Sequence, residues 1–281
     1  MRELNVAEIT SAVKDMCIKS NIYVGEDVRI AIEKALETEE SPLGKQILQV
    51  VLDNHKTAAD NNMPMCQDTG VAFIFIEIGQ DIHLVGGDLE ESINEGVRQG
   101  YAEGYLRKSI VDDPVIHRKN TTDNTPAVIY TRIVPGEKVK LLVAPKGGGA
   151  ENMSEVKMMV AADGIEGVKD FVVDRVRRSG GNPCPPIIVG VGLGGSFERA
   201  AMLAKEAVLR PIGTINPDPE YAAVEKELLE RINNLGIGPQ GLGGRTTALA
   251  VHIKHLPCHI ASMPVAVNIQ CHASRHAEIT L

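Results

Sequence analysis

Cys66, Cys184 and Cys271 each lie in a short polar segment: Met-Cys-Gln-Asp-Thr-Gly, Asn-Pro-Cys-Pro-Pro and Gln-Cys-His-Ala-Ser-Arg-His. A thiol kept for packing has apolar neighbours, whereas turn formers, amides, a carboxylate and bases surround these three. Three thiolates meeting from separate loops can hold three irons of a cubane cluster and leave the fourth open to a substrate. No Cys-x-x-Cys pair occurs, which disfavours a zinc ribbon or finger. Cys17 falls within an amphipathic helical pattern and reads as a small core residue. Cys258, in Leu-Pro-Cys-His, could be replaced by any small residue.

The histidines divide in the same way. His55, His83 and His117 are given no role, and His252 and His255 should face opposite sides of a strand. His259 and His276 stand near cysteine loops in a segment poor in carboxylates. From Arg231 to Ala277 there is no Asp or Glu, although the chain carries 37 of them, and five of its eight histidines lie there. Such a stretch suits either a small anion or a glycine-rich core that excludes carboxylates because burying them is costly.

One motif competes for attention. Gly190-Val-Gly-Leu-Gly-Gly195 satisfies G-x-G-x-x-G between a strand and a helix, the context of a dinucleotide site and of an NAD-dependent oxidoreductase. The acid-tipped second strand expected about 20 residues later is missing, because Pro211 to Pro219 reads as a loop. Tight turns and close helix packing explain these glycines better.

The elements that must carry these residues follow from periodicity. Residues 4–54 read as helices: Ile9, Val13 and Met16 recur at helical spacing, as do Val28, Ile32 and Leu36. Ser41-Pro42 opens a third helix through Leu52, and a polar stretch, Asp60-Asn61-Asn62, leads into the first cysteine loop. Val71 to Ile78 reads as a strand, and Asp88 caps a helix through about Arg107. Ala127–Val134 and Lys138–Ala144 are expected to pair as a hairpin about Pro135-Gly136. A helix is expected from near Asn152, then others over 164–178, 196–209 and 218–234, with strands at 187–191, 246–253 and 265–269. The fold class is α+β, or mixed α/β: a helical N-terminal region of about 60 residues, then interleaved strands and helices forming mixed sheets flanked by helices. One domain spanning 1–281, divisible into two lobes, is expected.

A net charge of −8 argues against nucleic acid as the main partner, and no apolar run is long enough to span a bilayer. The N-terminal residues form no secretory signal. Five cysteines in a chain of this length suggest reduced thiols and a cytoplasmic location.

Taken in order, Met-Cys66-Gln67-Asp68-Thr69-Gly70, Lys146-Gly-Gly-Gly149-Ala-Glu-Asn152, Gly181-Asn-Pro-Cys184-Pro-Pro, Gly241-Leu-Gly-Gly-Arg-Thr-Thr-Ala248 and Pro257-Cys-His259-Ile-Ala-Ser262-Met-Pro264, followed by Cys271 and Arg275-His276, resemble the iron–sulfur-dependent, class I fumarase family over nearly the whole chain. That family includes fumarate hydratases and the closely similar L-tartrate dehydratases. The resemblance implies a [4Fe-4S] cluster held by Cys66, Cys184 and Cys271, its fourth iron open to the hydroxyl and a carboxylate oxygen of a C4 dicarboxylate. It places substrate contacts at Gln67, Asp68, Arg107 and the backbone at Gly148 and Gly149, and sets His259 in the family's Pro-x-His-x-Ala-Ser pattern. Single-chain members continue into a C-terminal domain that completes the site. The end of this sequence at Leu281 therefore suggests the α subunit of the split form, with a separate β subunit and an α2β2 assembly.

The chemistry so implied is reversible hydration of fumarate to L-malate, with dehydration of L-tartrate as the alternative. Asp68, two residues after a cluster ligand, is assigned to the proton on the leaving oxygen, and His259 to orienting a carboxylate or relaying that proton. Arg107 can grip a carboxylate through two parallel hydrogen bonds. No residue here is assigned as carbon base, which makes the partner chain its candidate source. A non-catalytic thiol–metal scaffold binding zinc is the remaining alternative.

Overall fold

The helical spacing of Ile9, Val13 and Met16 is realised in helix α1 (Val6–Ile22), whose apolar face is buried. The computed structural model describes residues 2–281 and shows a mixed α/β fold. The chain divides into two compact units. The first comprises residues up to Val24, Asn54–Gly148 and Arg275–Leu281; the second comprises Gly25–Asp53 and Gly149–Ser274. The boundaries fall inside the glycine run, between Gly148 and Gly149, and just after Cys271, between Ser274 and Arg275.

In the first unit, α1 packs on α4 (Leu89–Glu103) at close range because Gly96 and Gly100 present no side chain. A Cβ on Gly96 would stand 2.6 Å from the Thr10 carbonyl oxygen. Asp88 caps α4 by accepting the Glu91 N–H at 2.8 Å. The helix stops at Glu103, short of Arg107. The chain turns through Gly104 and Tyr105, which has φ of 53°, so that Leu106 re-enters the core and Arg107 stands on an exposed loop.

The sheet beneath these helices has the order β10 (Ala277–Thr280), β5 (Val139–Lys146), β2 (Val71–Gly79), β4 (Val128–Val134). The expected hairpin between residues 127–134 and 138–144 is absent. Strand β2 lies between the two, parallel to β4 and antiparallel to β5. The reason is visible in β2, Val-Ala-Phe-Ile-Phe-Ile-Glu-Ile-Gly: a nearly continuous apolar strand seeks burial on both faces and a partner on both edges. The Pro135-Gly136 connection wraps around its end, with Gly79, Gln80 and Asp81 donating N–H bonds to Lys138, Val134 and Gly136. Helix α4 supplies the crossover that a parallel β2–β4 pair needs. Two short strands, β1 (Arg2–Asn5) and β3 (Ile82–Val85), pair in parallel as a separate ribbon. Four residues each, they carry too little pattern to be read from sequence.

In the second unit, Ser41 accepts the Gly44 N–H at 3.1 Å and starts α3 (Pro42–Asp60), which runs beyond the expected Leu52 through Asp60. Its first part, with α2 (Glu26–Thr38), belongs to this unit. The sheet has the order β6 (Glu155–Met159), β9 (Met263–Gln270), β7 (Ile187–Gly194), β8 (Ala248–Leu256). The helix expected from Asn152 is only the single turn α5 (Gly148–Glu151), after which β6 pairs antiparallel with β9. Helices α6 (Gly164–Ser179), α7 (Phe197–Ala207) and α8 (Pro219–Asn233) follow the pattern read from sequence. Strands β7 and β8 are parallel, and α7 and α8 lie between them in the chain.

Within this arrangement Gly190 and Gly192 lie inside β7, ahead of the turn into α7. A Cβ at either would stand 2.1 Å from the Ala204 oxygen or 2.0 Å from the Ala200 oxygen. They allow α7 to settle on the strand, which is the packing use of glycine. Strand β8 ends in Lys-His-Leu, with no acid to receive a ribose. His252 is buried and His255 exposed, as their odd spacing along β8 requires.

Candidate active site

The first unit carries Cys66, Gln67, Asp68, Arg107 and Gly148. The loop before β2 is clamped at each end. Met65 donates its N–H to the Asn21 carbonyl at 3.0 Å and accepts Asn54 Nδ2 at 2.9 Å. At the other end the buried Thr69 hydroxyl donates to the Arg107 carbonyl at 3.0 Å, and Asn124 Nδ2 donates to the Gly70 carbonyl at 3.2 Å. The Tyr101 hydroxyl lies 2.9 Å from both the Thr69 and Gly70 carbonyl oxygens. Burial pushes its phenol well above the ordinary range, so it serves as a donor. Gly70 itself has φ of 76° and passes so near Lys146 that a Cβ would be 2.6 Å from its backbone. Here only glycine serves. Between these clamps, Cys66 and Gln67 are exposed.

Asp68 is the focus of this unit. The β2–β5 register sets Val71 opposite Lys146, which draws Asp68 alongside Gly147 and Gly148. Its Oδ2 accepts the Gly148 N–H at 2.8 Å and its Oδ1 the Gly70 N–H at 3.1 Å. The position a Gly147 Cβ would take lies 2.9 Å from Oδ2, so the missing side chain is the space the carboxylate uses. The Asp68 carbonyl accepts from Arg275 Nη1 at 2.8 Å. The Arg107 side chain is exposed, and its guanidinium takes part in no ion pair among the described residues.

The second unit carries Gly149, Cys184, His259 and Cys271. Cys184 adopts φ of 55°, a left-handed conformation uncommon for a side-chain-bearing residue, and its thiol is exposed on the loop over residues 181–186. The Cys184 carbonyl accepts the His272 N–H at 3.4 Å, which brings this loop to the residue after Cys271. Gly149 adjoins the same loop: its Cβ position is 3.6 Å from the Asn182 carbonyl oxygen. Behind it, Glu151 takes the buried Lys205 in an ion pair and accepts Asn268 Nδ2 at 3.3 Å. That network ties α5 to β9, whose C-terminal end delivers Cys271. His259 stands apart on the exposed turn after β8. Its Nδ1 accepts the Ala261 N–H at 3.1 Å, which assigns the proton of the neutral ring to Nε2. Cys258 donates its thiol to the Ser262 carbonyl within that turn.

The thiols suit a cluster. No cysteine among the described residues is in a disulfide, and Cys66, Cys184 and Cys271 all reach solvent from loops. Cys17 behaves differently: it is enclosed in the core, and burial pushes its thiol up to about 12. Among the described residues no three His, Cys, Asp or Glu side chains gather as ligands of a single ion. A cubane makes a different demand, since each thiolate binds its own iron at a separate corner. No helix among the described residues is long and apolar enough to cross a membrane.

Arg275, Tyr101 and Asn124 are site-supporting residues to which motif reading gave no function. Only Arg275 left a trace in sequence, as a basic residue in the acid-free stretch. Of the four basic residues there, Arg231, Arg245 and Lys254 pair with carboxylates of their own unit, while Arg275 makes no ion pair among the described residues.

The sequence matches the family described as fumarate hydratase (Fumerase) over residues 10–280. The chain belongs to this iron–sulfur-dependent family of fumarases and tartrate dehydratases. Among its relatives is the "Putative L(+)-tartrate dehydratase subunit alpha" of Methanocaldococcus jannaschii, 42% identical over 275 residues, covering 96% of each chain. The L(+)-tartrate dehydratase subunit alpha of Escherichia coli K12 is 34% identical over 283 residues, covering 98% of this chain and 93% of that one. The protein of the same name from Shigella sonnei matches to the same extent.

Proposed function

We propose that this chain is the α subunit of a two-chain hydro-lyase that dehydrates L(+)-tartrate, completed by a separate β subunit in a cytoplasmic α2β2 assembly. The observation that carries the substrate is its likeness, across 96–98% of its length, to chains named as L(+)-tartrate dehydratase α subunits. Hydration of fumarate to L-malate is the second reading, favoured by the name of the matching family.

Cys66, Cys184 and Cys271 would hold a [4Fe-4S] cluster, which when bound supplies a Lewis-acidic iron for the substrate hydroxyl. The remaining work belongs to protein groups. Loss of water from a C4 hydroxy-dicarboxylate removes a hydroxyl and a proton from adjacent carbons. From tartrate it leaves an enol that becomes oxaloacetate; from malate it leaves fumarate. Asp68 would hold the proton at the departing hydroxyl; its two N–H bonds, from Gly148 and Gly70, support this role because they fix both oxygens in advance. With the Gly148 N–H committed to Asp68, Gly149 is the backbone position left to contact substrate. Arg107, on its exposed loop, grips a substrate carboxylate through two parallel bonds, and Gln67 donates its amide beside it. His259 orients the second carboxylate or relays the proton. The carbon base comes from the partner chain.

The test is anaerobic purification, reconstitution with a candidate β chain, and assays on L(+)-tartrate, D-tartrate, L-malate and fumarate. Oxaloacetate formed from L(+)-tartrate with the highest kcat/KM is the expected outcome. A higher kcat/KM on fumarate would establish the second reading. No turnover of any of the four by a complex showing the broad visible absorbance of an iron–sulfur cluster would end the hydro-lyase reading.

A further inference from the structure

Arg275 is buried to 2% exposure, yet among the described residues no carboxylate pairs with it. A guanidinium removed from water without a counter-charge is costly, and an apolar side chain of similar size would do better for stability alone. Two of its donors are used, both from Nη1: one to Asn21 Oδ1 at 3.1 Å, the other to the Asp68 carbonyl at 2.8 Å. Nε is buried with no acceptor among the described residues. Nη2 lies 3.6 Å from the position a Gly147 Cβ would occupy, on the same small space that the Asp68 carboxylate borders at 2.9 Å. All of these groups belong to the first unit.

We propose that Arg275 is a positioning residue: it holds the Cys66–Gln67–Asp68 turn by its main chain, so that the Asp68 carboxylate points at the Gly148 amide instead of folding back onto the guanidinium. The geometry favours this division of labour. The guanidinium spends its bonds on the Asp68 carbonyl and on Asn21, which is anchored in α1 by Nδ2 donating to the Cys17 carbonyl at 2.9 Å. The carboxylate of the same residue is thereby left to the backbone amides of Gly70 and Gly148. A residue kept only for packing would need neither charge nor a planar donor fork.

The catalytic consequence rests on the reading of Asp68 given above; the conformational consequence does not. Three variants, Arg275→Met, Arg275→Lys and Asn21→Ala, are compared in the full chain, alone and with its reconstituted partner, by peptide-resolved amide exchange and by steady-state kinetics. In Arg275→Met, exchange should quicken at least tenfold in peptides containing Gly70 and Gly148 and stay unchanged in those covering α1, α4 and β5 away from Lys146. In the complex kcat should fall about 10²-fold, as expected for a misplaced catalytic group, with KM within a few-fold. Arg275→Lys should recover part of both effects, and Asn21→Ala should show weaker forms of them. Unchanged exchange at Gly70 and Gly148 in all three variants overturns the proposal, as does exchange quickened uniformly across the first unit. An inactive wild-type complex would count against the hydro-lyase reading, while the exchange pattern would still decide the role of Arg275.

Discussion

Replacing Gly147 by alanine should separate the position of the Asp68 carboxylate from everything else in the site. The added Cβ would lie 2.9 Å from Asp68 Oδ2, closer than real Cβ contacts permit, and 3.6 Å from Arg275 Nη2, an ordinary contact. Its other close neighbour is the carboxyl carbon of the same side chain at 3.4 Å, so the strain is relieved by rotating Asp68 away. Rotation breaks the 2.8 Å bond from the Gly148 N–H. A hydrogen bond to a charged acceptor contributes about 1.5–3 kcal/mol. If the transition state draws on that placement, kcat of the reconstituted complex falls about 10- to 150-fold. Global stability should change little, because the carboxylate can turn toward water, and the cluster absorbance should persist, because no thiol is touched. The assay pairs single-substrate kinetics with thermal unfolding and visible spectra of the same preparation. Wild-type kcat in a folded, cluster-loaded Gly147→Ala complex would refute a fixed Asp68 as a working group.

Three further outcomes are expected. Cys184→Ser should abolish the visible absorbance of the anaerobically reconstituted chain while Cys17→Ala retains it; equal absorbance in the two variants would remove Cys184 from the ligand set. Gly192→Ala should force α7 off β7 and cost about 2–4 kcal/mol in denaturant unfolding, as overpacking against backbone does, and the wild-type chain should give no saturable binding of NAD; measurable NAD affinity would revive the nucleotide reading. Acid should destabilise the second unit through two groups. Burial, reinforced by Arg210, depresses His252 from 6.5 to about 4, so its contribution is lost as pH falls through that interval. Although burial pushes Glu39 up, N–H bonds from Arg245, Ser41 and Thr246 outweigh it and bring the carboxyl from 4.5 down to about 2. Its contribution, up to about 3 kcal/mol, is full above pH 4.5 and disappears toward pH 2. Glu39→Gln should flatten the stability profile over that range, and an unaltered profile would exclude the mechanism.

How much was legible can be judged element by element. Val71 to Ile78 announces a strand through β-branched and aromatic content, and the strand is there. Asp88 and Asp218 announce helix starts by their capping chemistry, and both accept first-turn N–H bonds. The pairing of those strands was not legible. The Pro135-Gly136 connection has the local chemistry of a hairpin, but the apolar demand of β2 for two neighbours outweighed it. Arg275 shows the same limit at the site. Its residue type and its place after Cys271 were visible, but its burial with no ion pair among the described residues depends on Asn21 and Asp68, more than 200 residues away in the chain.

Residue types and order along the chain were enough to point to the family to which it belongs. Polar loops around Cys66, Cys184 and Cys271, the Gln-Asp after the first and the glycine run ending at Gly149 are local features, and local features survive in one dimension. Tertiary structure decided which groups those loops lean on. The β2–β5 register set Asp68 against the Gly148 amide, and the close passage of Gly70 over Lys146 fixed the turn between them. Register and close approach arise from the burial of whole strands and helices against one another, a sum over many distant residues that no single segment encodes.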